Sequence, residues 1–216
     1  MRTARTIQLS VACLLTLMPP FAAKAASLNF VNVGAPAINC VFNTTCKVTV
    51  TDSVDTIVVP PGLWTGNARL QSRTFSGAAG ALGAGKTAYE YRVDLTQVVS
   101  DAEVPCVTDI AIDFGPVSKL QYNKVGPLDD VFVVTKGGLG TVGLFAVDKT
   151  GDVITFTFNQ PVCAGPTPGK GQTSFFFGLA SAFPPKAITA KVSVPGLDPI
   201  NVKARAPSHP AGQKPK

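Results

Sequence analysis

Histidine is almost absent from this chain: His209 is the one example, and it stands among prolines close to the C-terminus. A Ser/His/Asp triad, a Cys/His pair and a His-ligated zinc site each need an imidazole on a rigid scaffold, so these chemistries are excluded from the body of the protein. Aromatic surface for a carbohydrate cleft is scarce as well, with one Trp (Trp64) and three Tyr (Tyr89, Tyr91, Tyr122). No Cys-x-x-Cys occurs, which removes the usual dithiol redox site. Apolar residues at helical spacing never persist, so long amphipathic helices are not expected beyond a single turn around 95–99. The one long apolar run, at 7–18, falls short of the ~20 residues that a membrane-spanning helix needs.

What is present begins at the N-terminus. Arg2 and Arg5 precede that apolar run, and Ala23-Lys24-Ala25 supplies the small residues a signal peptidase requires. Residues 1–25 therefore have the form of a secretory signal peptide. Cleavage would leave a secreted or periplasmic chain without a membrane span, and Cys13, inside the run, is not placed for lipid attachment. The formal charge of +6 shrinks with export, because Arg2, Arg5 and Lys24 leave with the leader and Lys203, Arg205, Lys214 and Lys216 crowd the last fourteen positions. Residues 26–202 keep twelve basic residues against thirteen acidic ones, scattered singly. Phosphate backbones demand clustered Lys and Arg, so nucleic acid is not expected as a partner.

Twenty glycines and eighteen prolines punctuate the chain at short intervals. Short apolar runs between such turn signals point to an all-β fold: a single-domain antiparallel β-sandwich over 26–202, Ig-like or jelly-roll-like. In Val153-Ile154-Thr155-Phe156-Thr157-Phe158 apolar and polar residues alternate as in a half-buried strand. The apolar run at 142–147, followed by Asp148-Lys149-Thr150-Gly151 as a type I turn, would pair with it as a hairpin. Ser174-Phe175-Phe176-Phe177-Gly178-Leu179-Ala180 is apolar on both faces and predicts a strand covered on both sides. Further strands are predicted over 28–33, 47–51, 56–59, 68–75, 87–95, 109–114, 131–135 and 187–194. In the 87–95 strand Tyr89, Tyr91, Val93 and Leu95 should face the core, and Glu90, Arg92 and Asp94 should face water. Residues 203–216, basic and rich in proline, read as a disordered tail.

Export makes disulfides available, and the mature chain keeps Cys40, Cys46, Cys106 and Cys163. Four cysteines allow three connectivities; Cys40–Cys46 would close a five-residue loop, and Cys106–Cys163 would anchor the loop at 160–172. This pairing is preferred, as a structural staple.

Two motifs carry partial chemistry. Gly80-Ala81-Leu82-Gly83-Ala84-Gly85-Lys86-Thr87 matches the phosphate-loop pattern, but that chemistry needs a helix to follow, and the residues after Lys86 alternate with a period of two. A plain loop between strands, with Lys86 exposed, is the reading here. The stretch 121–130 has the outline of a calcium loop in which Gln121 and Val125 replace acidic positions, leaving Asn123, Asp129 and Asp130 as weakened candidates. No other metal and no organic cofactor is implied. Asn43-Thr44-Thr45 matches an N-glycosylation acceptor.

Taken together, 85–97, Pro105-Cys106-Val107-Thr108, 129–135 and 174–179 resemble a group of uncharacterised exported bacterial proteins. The resemblance implies export from a bacterial cell and brings no activity or site residue with it. The function expected is that of a non-enzymatic module, structural, adhesive or ligand-binding, acting on an extracellular or envelope ligand. The alternative is a carboxylate-dependent hydrolase of extracellular carbohydrate, drawing on Asp94, Asp109, Asp113, Asp129 or Asp130 for its two carboxyls. Function on such scaffolds lies in loops, which directs attention to 75–86, 121–130 and 160–172.

Overall fold

Alternation with a period of two sorts this chain into strands that bury one face against each other. The structure, a computed structural model, describes residues 25–100 and 105–208. Among these are twelve strands: β1 (Ala26–Ser27), β2 (Phe30–Gly34), β3 (Thr51–Thr56), β4 (Arg69–Ser76), β5 (Thr87–Asp94), β6 (Cys106–Asp113), β7 (Val131–Lys136), β8 (Leu144–Thr150), β9 (Val153–Cys163), β10 (Phe176–Ser181), β11 (Pro185–Ser193) and β12 (Ile200–Pro207). They form two six-stranded sheets, β1-β8-β9-β6-β11-β12 (sheet A) and β2-β7-β10-β5-β4-β3 (sheet B). Pairing is antiparallel apart from β2 against β7, which run parallel. The two sheets pack as a β-sandwich.

Between them lies a core whose centre is aromatic. Phe177 of β10 meets Phe156 and Phe158 of β9 at 4.9 and 5.9 Å and Tyr91 of β5 at 6.1 Å between ring centroids. Rings at such separations add edge and offset attraction to the area they bury. Tyr89 and Tyr91 are fully buried, so each hydroxyl needs a partner: Tyr91 donates to the Arg205 carbonyl and Tyr89 to the Phe183 carbonyl, both at 2.7 Å. The tyrosines considered for sugar stacking are thus core residues, Tyr122 included.

Both open edges of the sandwich are closed by short devices. The N-terminal segment crosses from sheet A to sheet B between β1 and β2, and the Leu28 amide donates to the Val147 carbonyl at the crossing. At the other side the Lys203 amide of β12 donates to Asp55 of β3 at 2.7 Å. Edges tied in this way cannot recruit a further strand at those positions.

Several boundaries differ from the sequence reading for identifiable reasons. β12 carries Lys203 and Arg205 within a regular ladder to β11, so the domain reaches Pro207 and the tail cannot begin at residue 203. Val202, Ala204 and Ala206 supply its buried face, and small alanines give a weak apolar signal. The β8–β9 hairpin exists, but Thr150 pairs with Val153 and the turn is Gly151-Asp152, with Asp148 and Lys149 inside β8. Residues 47–50 are not strand, and β3 lies over 51–56, between the two short strands expected there. The turn near 95–99 is present as a Val98 to Leu95 backbone hydrogen bond, whereas the helix lies elsewhere, in α1 (Ala35–Phe42). The leader at 1–25, apart from Ala25, and the tail beyond 208 with His209 lie outside the described residues.

Both expected disulfides are formed. Cys106 and Cys163 are directly opposite each other across β6 and β9, so this bridge staples two neighbouring strands; β9 extends to Cys163, and the loop starts after it. Cys40–Cys46 ties the last turn of α1 to the chain that follows. Chain-entropy arguments scale with the sequence closed. Removing Cys106–Cys163, with a separation of 57, by a double change to Ala is expected to lower stability by ~4 kcal/mol, against ~2 kcal/mol for Cys40–Cys46, with its separation of 6. Urea unfolding of the two double variants checks the order, and a costlier loss at Cys40–Cys46 would show that α1 depends on its bridge more than the strands depend on theirs.

Candidate functional site: a pocket on the outer face of sheet B

The outer face of sheet B is covered, and α1 is the reason. Pro36 suits a first helical turn, and Ile38, Val41 and Phe42 recur at the three- and four-residue spacing of a helix face. Eight residues are too few to hold a helix in water. This one is held by burial of that face among Val33, Phe75, Ala88, Tyr122, Phe132, Val134, Phe176 and Ala180, and by its disulfide. β10 and most of β7 are therefore buried on both sides, as the doubly apolar run at 174–180 predicts, while the edge strand β3 stays largely exposed.

The phosphate-loop match takes part in this cover. The Ala78 and Gly83 amides donate to the last carbonyls of the helix, Phe42 and Val41, at 2.7 and 2.8 Å. A side chain at Gly83 would place its Cβ 2.5 Å from the Phe42 ring, so glycine is what lets the loop close on the helix. Of the motif's amides, that of Gly83 is spent on α1 and those of Ala81, Ala84 and Lys86 on carbonyls of the loop itself, and the loop runs into β5, a strand. Lys86 is half-buried instead of exposed, and its carbonyl accepts from Gly77 to close the loop.

Cover changes the status of the alternate residues of β5. Glu90, expected to face water, is 6% exposed, because α1 and the segment before β3 lie over its face of the sheet. Arg92 and Asp94 are half-buried and pair at 3.3 Å. Glu90 stands directly opposite Arg73 of β4 on one side and Gly178 of β10 on the other. Arg73 does not close an ion pair with it. The guanidinium reaches past β4 to Asp52 of β3, with Nε donating at 2.8 Å, and Asp52 also accepts from Gln71. The same guanidinium lies 4.2 Å above the Phe176 ring, with Arg92 at 5.0 Å from that ring. Arg73 is held by a carboxylate and by an aromatic face, which a planar delocalised cation accommodates well.

Above Glu90 and Arg73 a pocket of about 370 Å³ is left open. Its walls are Ile38 and Asn39 of α1, Val48 and Val50 before β3, Phe75, Val134 and Phe176 on the sheet, and the 137–139 loop with Leu139 at the rim. This is the size and character of a small-molecule site: apolar walls with a few polar groups fixing orientation. Desolvation pushes the Glu90 carboxyl up to about 7, partly offset by the Arg73 charge and assisted by that of Asp52.

The other sequence candidates are dispersed. Asp94 accepts from the Thr96 amide and hydroxyl, and Asp109 accepts from the Ser193 and Thr108 hydroxyls. Asp130 accepts from the Asn29 amide and pairs with Lys119, both at 3.1 Å. The Asn123 carbonyl oxygen accepts from the Val125 amide within its own turn, so it is not turned toward the two aspartates. Burial, then the neighbouring Asp130 charge, raises the Asp129 carboxyl. Among the described residues no group of three or more His, Cys, Asp or Glu side chains gathers as a metal would require. Asn43 accepts from the Thr45 amide and hydroxyl. Among the described residues no helix is long and apolar enough to cross a membrane.

Comparison of this chain with protein-family models, with curated proteins and with solved structures finds no match. The site is therefore read from its own geometry.

A carboxyl whose pKa is higher folded than unfolded takes up a proton on folding, so its contribution to stability is complete below the unfolded value and is lost as pH climbs through the folded one. For Glu90 that window runs from the ordinary glutamate value of 4.5 to about 7. Stability is expected to fall across it by on the order of 3 kcal/mol. Glu90→Gln should remove that fall and leave the variant more stable than the parent at pH 8. Urea midpoints measured every half pH unit check this, and parallel profiles for parent and variant would contradict it.

Proposed function

We propose that the protein is an exported, non-enzymatic β-sandwich module that binds a small, largely apolar ligand in the pocket above Glu90. The pocket itself carries this reading: an apolar chamber whose floor holds a buried carboxyl, built by an added layer of helix and loops on a sheet already complete without it. Two disulfides suit an oxidising compartment outside the cytoplasm, in keeping with the leader-like N-terminus. The hydrolase alternative keeps only half-buried Trp64 of its four stacking candidates, since Tyr89, Tyr91 and Tyr122 are fully buried, and Asp94, Asp109 and Asp130 are engaged by hydrogen bonds that hold loops and strands.

Leu139, 58% exposed at the rim, offers a way to block the mouth without disturbing the core. Leu139→Arg is expected to change the stability of the free protein by no more than ~0.5 kcal/mol, as at ordinary surface positions. In a thermal-shift panel of small apolar amines, alcohols and acids, compounds that raise the melting temperature of the parent should fail to raise that of the variant. A panel that stabilises both proteins equally would place the ligand elsewhere. Turnover of a polysaccharide, abolished by changing Asp94, Asp113, Asp129 or Asp130 to Asn in a folded protein, would overturn the non-enzymatic reading.

A further inference from the structure

Resting on the reading of the pocket as a ligand site, we infer that its ligand is an apolar compound bearing one ammonium group, with Glu90 as the counterion. The argument starts from the charges that reach this face. Arg69, Arg73 and Arg92 share it with three carboxyls, those of Asp52, Asp94 and Glu90. Asp52 is answered by Arg73 at 2.8 Å and Asp94 by Arg92 at 3.3 Å, while Arg69, opposite Asp94, is exposed and does not line the pocket. Glu90 is the carboxyl on which no arginine closes. It lines the pocket with its neighbour Gly178 offering no side chain and with the Phe132 ring closing over that glycine, 2.6 Å from where a Cβ would stand.

The elements that pack over the pocket bring no cation of their own. The helix α1 is Ala-Pro-Ala-Ile-Asn-Cys-Val-Phe, and Val48, Val50, Val134 and Leu139 complete the cover. The nearest lysines in sequence, Lys47 and Lys136, are exposed and do not line the pocket. At the surface their charges are screened by salt and solvent. A carboxylate ligand would have to compete with Asp52 for Arg73 while facing Glu90, and like charges in a desolvated site repel. A neutral ligand would leave the ionised carboxyl unmatched. An ammonium group satisfies it, and the apolar remainder of the ligand replaces solvent along Ile38, Val134, Leu139 and Phe176.

Proton balance follows directly. Where Glu90 is protonated, binding of an ammonium group releases that proton to solvent, and the ligand's N–H donates to the carboxylate that remains. Affinity should therefore rise about tenfold per pH unit below the Glu90 titration and level off above it.

The test uses the mature protein and three six-carbon probes that differ in their head group, n-hexylammonium, 1-hexanol and hexanoate, titrated calorimetrically at pH 5, 6, 7 and 8. Hexylammonium is expected to bind about tenfold or more tightly than hexanol at pH 8, since a hydrogen bond to an ionised group is worth at least that factor. Its affinity should climb from pH 5 to 7, with protons released at pH 6 as read from two buffers of different ionisation enthalpy. Glu90→Gln should abolish the preference and the proton release and keep the hexanol affinity. Hexanol or hexanoate binding as tightly as hexylammonium in the parent would overturn this inference and leave the pocket a ligand site. Failure of all three probes to bind would overturn both.

Discussion

Arg73 and Glu90 face each other across β4 and β5 and do not pair, and the character of the outer face of sheet B depends on that unmade contact. In water an Arg and a Glu at directly opposed positions would attract weakly and be screened. Here Arg73 is drawn the other way, by Asp52 on the edge strand and by the Phe176 ring beneath it. Both partners are already in place when the sheet is paired. Glu90 is thus left with burial that the Arg73 charge offsets only in part, and burial favours its neutral form. A charge that is costly to bury persists in folded proteins at sites that use it more often than elsewhere.

Cover is the second half of the constraint. Without α1 the outer face of sheet B would expose Phe75, Phe132, Val134 and Phe176 beside a polar row of Asp52, Arg73, Glu90 and Arg92. The helix is too short to stand alone and is capped by amides of the 77–86 loop, bridged by Cys40–Cys46 and seated on Phe75, Phe132 and Phe176. Phe75 on β4 and Phe132 and Phe176 on the far side of β5 flank Glu90, and the layer they seat roofs the carboxyl between them. The pocket is the space that the roof leaves.

Much of this architecture is legible in the residues. Alternation at 153–158 and 87–95 fixes two central strands, and the apolar run at 174–180 announces a strand covered on both faces, which β10 is. Of Cys40, Cys46, Cys106 and Cys163 the first two form a local pair, and that spacing favours the two disulfides found. Glu90 is where reading by strand alone misleads. An alternating Glu-x-Arg-x-Asp pattern signals a solvent face only if nothing packs on it, and what packs on it comes from residues 35–50, far away in sequence. The structure makes β10 and β5 neighbours in sheet B, so the layer over Phe176 also reaches Glu90, an adjacency that residues alone do not display. The helix escaped because eight residues with a proline offer too few turns for a periodic signal. The β12 strand escaped because alanines carry its buried face and lysine and arginine its other one.

The most direct test is the ionisation of Glu90 itself. The chain has two glutamates, Glu90 and Glu103, so glutamate labelled with ¹³C at the side-chain carboxyl yields two signals, which Glu90→Gln assigns. Following the Glu90 carboxyl shift from pH 3 to 9 in the free protein should give a midpoint near 7, raised by burial as described above. A midpoint at the ordinary glutamate value near 4.5 would show that the carboxyl is solvated or paired, and the covered, unpartnered floor of the pocket would not exist.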